Sequence, residues 1–139
     1  MRVIFAFAMM LFAMVVPVLA QTEEAPWQAS ITGQIEAFRA GDGAAALNFA
    51  GAVFRTQFEG QPDAFYAAIA ASGYAAIVES RSHSFGEFNK VSDTSVLQVV
   101  QFVGPDGSFY GAVYQLADEP DEGWRVIGVV LRKEAGIAV

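Results

Sequence analysis

Val96-Leu97-Gln98-Val99-Val100-Gln101-Phe102-Val103, then Gly104-Pro105-Asp106-Gly107-Ser108, then Phe109-Tyr110-Gly111-Ala112-Val113-Tyr114-Gln115-Leu116, is the run that decides the fold. Two segments rich in Val, Phe and Tyr flank a Gly-Pro-Asp-Gly turn, which reads as two antiparallel strands with a tight connection. A second turn, Asp118-Glu119-Pro120-Asp121-Glu122-Gly123, leads into a third such segment over 124–132, so the three form a meander. Two further strands are expected upstream, over 74–82 and over 84–91, the latter with a bulge at Gly86.

Before Gly73 the period is helical. Trp27, Ile31, Ile35 and Phe38 recur on one face of a helix over 27–40, which Gly41-Asp42-Gly43 stops. Asp42 is placed to cap a second helix over 44–54, and Gly60-Gln61-Pro62-Asp63 opens a third over 64–71, ended by Ser72-Gly73. Helices first and strands after give an α+β domain, with N-terminal helices packed on a curved antiparallel sheet.

The first twenty residues are set apart from this domain. Met1-Arg2 is a short positive start, residues 3–16 are uninterruptedly apolar, Pro17 breaks the run, and Val18-Leu19-Ala20 has the small-residue ending that signal peptidases read. The chain of 139 residues is thus expected to comprise a signal peptide at 1–20, cleaved after Ala20, and one domain over 21–139, periplasmic or secreted. An uncleaved anchor is the competing reading of the same run. Cleavage takes Arg2 away and leaves seven Lys and Arg against fifteen Asp and Glu, a formal charge of −8. That acidity disfavours nucleic acid and anionic membrane surfaces as partners. With no cysteine, disulfides and thiolate metal sites are excluded, and the domain must be held by its core.

Several local strings point to a family. Gln34-Ile35-Glu36-Ala37-Phe38-Arg39-Ala40 with Asp42, then Gly73-Tyr74, Ser84-Phe85-Gly86-Glu87, and Gly123-Trp124-Arg125-Val126-Ile127-Gly128 with Leu131, together resemble the domain of unknown function 4864 family of short exported proteobacterial proteins. The order of elements also resembles the nuclear-transport-factor-2-like, or cystatin-like, superfamily, whose curved sheet wraps N-terminal helices into a cone. The resemblance implies a fold and a compartment but no reaction. Where relatives commonly carry a Cys after the glycine equivalent to Gly128, this chain has Val129, so thiol chemistry is not expected here.

Residues able to carry chemistry are few. The single histidine, His83, lies two residues from Arg81 and four from Glu79, so on one extended strand the three side chains share a face. Such a trio could bind an anion or move a proton, and it defines an isomerase- or hydrolase-like alternative; its plain reading is a solvated, ion-paired strand face. Enzymes with the cone fold usually place a carboxylate or histidine in the cavity, yet residues 96–116 hold no Glu or His and an Asp only in the turn. Their inward candidates Gln98, Gln101, Tyr110, Tyr114 and Gln115 can orient a ligand but are poor bases at neutral pH. One histidine and scattered carboxylates give no metal-ligand spacing, and the acidic turn at 118–122 lacks the periodicity of a calcium loop. No cofactor is expected.

The aromatic residues admit two readings. Tyr66, Tyr74, Phe102, Tyr110 and Tyr114 either fill the cone or, where the helices leave its wide end uncovered, line an apolar pocket with a few hydroxyls. The second reading makes the chain a non-catalytic periplasmic binding or interaction module for a small apolar or amphipathic ligand or a protein partner. The closing strands are apolar on both sides: Val96, Val100 and Phe102 oppose Leu97, Val99 and Val103, and Trp124, Val126 and Val130 oppose Ile127, Val129 and Leu131. Helices can cover one side only, so a homodimer through the outer sheet face is expected.

Overall fold

The computed structural model describes residues 24–134. The signal segment and its cleavage point lie outside the described residues. Helix α1 (Pro26–Arg39) starts with Pro at its first turn, and the Gln28 side chain accepts from the Ala25 N–H at 3.0 Å. Its apolar stripe buries Trp27, Ile31, Ile35 and Phe38, as the helical period requires, and Gly41, at φ +70°, lets the chain turn away. Asp42 then caps α2 (Gly43–Asn48) by accepting from the Ala45 N–H at 3.0 Å.

The second expected helix is divided. It breaks at residues 49–51, where the chain pairs in parallel with the last strand: Gly51 N–H donates to the Val126 carbonyl at 2.9 Å, and Val126 N–H to that of Phe49 at 2.8 Å. Two sheet-type bonds replace the helical ones that Gly51 would hold weakly. Helix α3 (Ala52–Gln57) resumes beyond the break, and α4 (Pro62–Ile69) follows with Pro at its first position.

The segment over 74–82 corrects the expectation of a strand. A π-helical turn (Ala70–Tyr74), kinked where Gly73 takes φ +90°, runs into the short helix α5 (Ala75–Val78). Ala76, Ile77 and Val78 are apolar in succession, a pattern that serves a buried helical turn as well as a strand. Ile77 packs on the α1–sheet core and Val78 among the other helices.

Among the described residues the sheet therefore has four strands, all antiparallel, in the order β1 (Ser82–Ser92), β2 (Ser95–Val103), β3 (Phe109–Glu119), β4 (Gly123–Lys133). The fold is α+β, with helices on an open, curved antiparallel sheet. The ladder shifts register between Phe85 and Phe88 in β1, at the expected bulge, again between Lys90 and Ser92, and between Gln115 and Leu116, where Ile127 of β4 is the extra residue. The bulge at Ile127 reverses the facing read from simple alternation. Val129 pairs with Tyr114 and Leu131 with Ala112, so both face the core beside Trp124 and Val126.

Two buried clusters result. One lies between α1 and the sheet and includes Ile31, Ile35, Val100, Phe102, Tyr114 and Val126. The other lies among the helices, with Phe38, Leu47, Phe65 and Val78. The seam between them is not filled.

Candidate functional site

A cavity of about 270 Å³ occupies that seam and opens to solvent on one side. Its inner end is made by Tyr114 of β3 and Ile77 of α5, with Phe38 and Phe65 contributed by the helix cluster. Its rim consists of half-buried residues: Phe54 of α3, Ile69 of α4, Tyr74 at the end of the π-helical turn, and Val129 of β4. The rim's geometry follows from features already described. The bulge at Ile127 turns Val129 inward, the pairing of Ala50 with Val126 holds α3 over the sheet, and the kink at Gly73 sets Tyr74 across from β4. The Tyr74 hydroxyl donates to the Val129 carbonyl at 2.8 Å and closes that side.

Among the described residues no charged side chain lines the cavity. Three polar side chains do: Gln34, Tyr74 and Tyr114. Gln34 donates from Nε2 to the Ala46 carbonyl at 3.1 Å; a carbonyl can only accept, which fixes the amide orientation and leaves Oε1 without a described partner. Tyr114 is 1% exposed, and burial pushes its hydroxyl far above the ordinary tyrosine range, with Tyr74 adding to the effect and Arg39 opposing it. It stays protonated, available as a donor.

Of the aromatic residues singled out from sequence, Tyr74 and Tyr114 line this cavity and three do not. Phe102 is buried in the α1–sheet core between the rings of His83 and Tyr114, at 6.1 and 6.3 Å. Tyr66 leans on Phe38 within the helix cluster, 6.0 Å between ring centres. Tyr110 is half-buried at the start of β3 with the Lys133 ammonium 6.0 Å from its ring. The remaining inward candidates separate as well: Gln98 is fully buried in the core, whereas Gln101 and Gln115 are exposed. Gln34, Phe38, Phe54, Phe65 and Val129 were not foreseen as lining. For Gln34 a signal existed, since it is a polar residue on the buried stripe of α1, three positions after Ile31 and four before Phe38.

Glu79, Arg81 and His83 do not share a strand face, because Glu79 ends α5 and only His83 belongs to β1. Arg81 is exposed, and its N–H donates to the Val103 carbonyl at 2.8 Å. His83 instead meets α1. Arg39 donates to its Nδ1 at 3.2 Å, so the proton sits on Nε2, which donates to Thr32 Oγ1 at 3.3 Å; Thr32 in turn donates to Glu24 at 2.7 Å. Arg39 also donates to the buried Ser80 hydroxyl at 3.0 and 3.2 Å. Burial, and then the Arg39 guanidinium, lower the His83 pKa, while Glu24 and Glu36 oppose the shift. The imidazole is thus held neutral beside a cation, with both ring nitrogens engaged. Among the described residues no group of three His, Asp or Glu stands together as metal ligands.

A family model described as a domain of unknown function, DUF4864, matches residues 20–139. The chain belongs to the DUF4864 family. No curated protein and no solved structure matches it. In this DUF4864 chain the recognition strings have structural roles: Gln34 and Phe38 line the cavity, Gly86 marks the β1 bulge, and Val126 and Gly128 border the cavity on β4.

Proposed function

We propose that the chain is an exported, non-catalytic binding module that takes a small, largely apolar molecule into the cavity between its two buried clusters. The observation that carries this reading is the lining itself, which among the described residues consists of aliphatic and aromatic side chains and three neutral polar groups, with no carboxylate, histidine or cation. Apolar walls with a few placed polar groups are what small-molecule sites require, and acid–base chemistry would need a titrating group that this lining does not supply. His83 lies outside the lining and is saturated by Arg39 and Thr32, which argues against the hydrolase-like alternative.

Native mass spectrometry of protein purified from its own periplasm tests the reading. The expected species is a chain beginning at Gln21 that retains a small molecule, and a Val129→Trp variant, which plugs the rim, should lose that mass. A chain retaining residues 1–20 in the membrane fraction would overturn cleavage and release. A ligand retained equally by Val129→Trp would overturn the assigned cavity.

A further inference from the structure

Two oxygens in the cavity remain unspent. Tyr114 Oη and Gln34 Oε1 have no hydrogen-bond partner among the described residues, although the residues are only 1% and 5% exposed. Neither is among the polar atoms sealed from solvent without a partner, and the opening that both residues border is the cavity. A buried polar group is normally paired, so two unpaired oxygens at one apolar cavity define a polar subsite within it.

Three ligand classes can be weighed against this subsite. A charged molecule would leave water for a lining that offers no counter-charge, which is the costliest of the transfers considered. A hydrocarbon fits the walls but strips water from Tyr114 and Gln34 and returns nothing, leaving both unpaired. A neutral molecule with a hydrocarbon body and one hydroxyl pairs with these groups, because a hydroxyl can accept from the Tyr114 O–H or donate to the Gln34 oxygen. Size bounds the body: a 150 Å³ apolar cavity holds one benzene ring, so 270 Å³ accommodates about eleven non-hydrogen atoms.

We propose that the cavity selects neutral, hydroxyl-bearing, otherwise apolar molecules of about eleven non-hydrogen atoms, with Tyr114 and Gln34 reading the hydroxyl. This rests on the binding reading above and adds the chemical class of the ligand. Rejection of a body that lacks the hydroxyl is the expected sign of a site whose polar groups would otherwise be left unpaired.

Calorimetric titration of the mature chain with 2-naphthol, naphthalene and 2-naphthoate decides it. The expected result is that 2-naphthol binds about tenfold more tightly than naphthalene, the worth of one to two net hydrogen bonds, and that 2-naphthoate does not bind. Tyr114→Phe should remove most of that ratio while leaving naphthalene affinity intact; Gln34→Met provides the same comparison if Tyr114→Phe is not folded by circular dichroism. Equal binding of 2-naphthol and naphthalene, or tighter binding of 2-naphthoate, would overturn the selectivity and leave an apolar pocket standing. Binding of none of the three, or binding unchanged by Val129→Trp, would overturn the binding reading and this inference with it.

Discussion

The indole Nε1 of Trp27 donates to Oε1 of Gln98 across 2.9 Å, joining residues 71 positions apart in sequence. Gln98 is fully buried, also accepts from Gln28 at 3.1 Å, and donates through Nε2 to the carbonyls of Gly86 at 2.9 Å, Glu87 at 3.3 Å and Val99 at 2.8 Å. The bulge in β1 leaves ladder carbonyls unmatched, and one amide satisfies them while fastening α1 to the sheet.

Gln98→Met keeps the volume and removes every one of these bonds. It should lower unfolding free energy by about 3 kcal/mol, since a buried indole N–H and three carbonyls lose their partner. Gln101→Met, on the exposed side of the same strand, should stay within about 0.5 kcal/mol. Urea titrations of both variants make the comparison, and equal losses would show that Gln98 does not fasten the bulge.

The neutral state imposed on His83 predicts a pH dependence of definite sign. Its pKa in the folded chain lies below the ordinary value, through burial first and Arg39 second. As pH falls below about 6.5 the unfolded chain takes up this proton first, so stability declines on acidification and the decline ends once the folded chain is protonated too. Between about pH 7.5 and 5.5 wild type should therefore lose more stability than His83→Gln, read as the difference in urea midpoints. A steeper decline in the variant would reverse the assignment.

Glu119 holds α3 in place. Its two carboxylate oxygens accept from the Ala52 N–H at 3.1 and 3.0 Å, and Arg55 donates to it at 3.1 Å while also reaching Glu122 at 2.9 Å. The Arg55 hydrogen bond and charge pull the Glu122 carboxyl below its ordinary range. Glu119→Ala should cost about 2 kcal/mol, because charge-assisted bonds at a helix start are lost together. The loss at Glu122→Ala, on an exposed side chain, should be smaller. Because α3 carries Phe54 at the cavity rim, Glu119→Ala should also weaken 2-naphthol binding. Unchanged stability and affinity would refute both roles.

On the outer face of the sheet, Val99, Val113 and Val130 align as cross-strand neighbours, with Phe109 nearby. Val113, Val130 and Phe109 are 40%, 60% and 62% exposed, more than a solitary sheet face usually leaves to water. The expected outcome is a twofold homodimer through this row, seen by sedimentation at micromolar concentration, and a folded monomer for Val113→Lys. A clean wild-type monomer would refute it.

Strands β2 to β4 were legible because Gly104-Pro105-Asp106-Gly107 and the turn ending at Gly123 punctuate long runs of Val, Phe and Tyr. The helix at 75–78 was not, because a single buried turn of Ala, Ile and Val carries no period that separates it from a strand. The break in the helix expected over 44–54 was not legible either, because its cause, the bridge between Ala50 and Val126, joins residues 76 positions apart. The facing of Val129 depended on one bulge that composition does not announce. At the cavity, Tyr74 and Tyr114 were read from their residue type, whereas Phe54, Phe65 and Val129 look like ordinary core residues until the two clusters are seen not to meet.

The mid-strand bulges of β1 and β4 also bear on aggregation. Strands β1 and β4 are the outer members of an open sheet, and each carries a register break in mid-strand. An unbroken outermost strand is a template on which another chain can add its own, and a bulge twists that template out of line. On β4 the backbone at Val126, next to the bulge, is also occupied by residues 49 to 51. A chain without disulfides to restrain a partly opened state thus has its two exposed margins made unsuitable for pairing with its own copies.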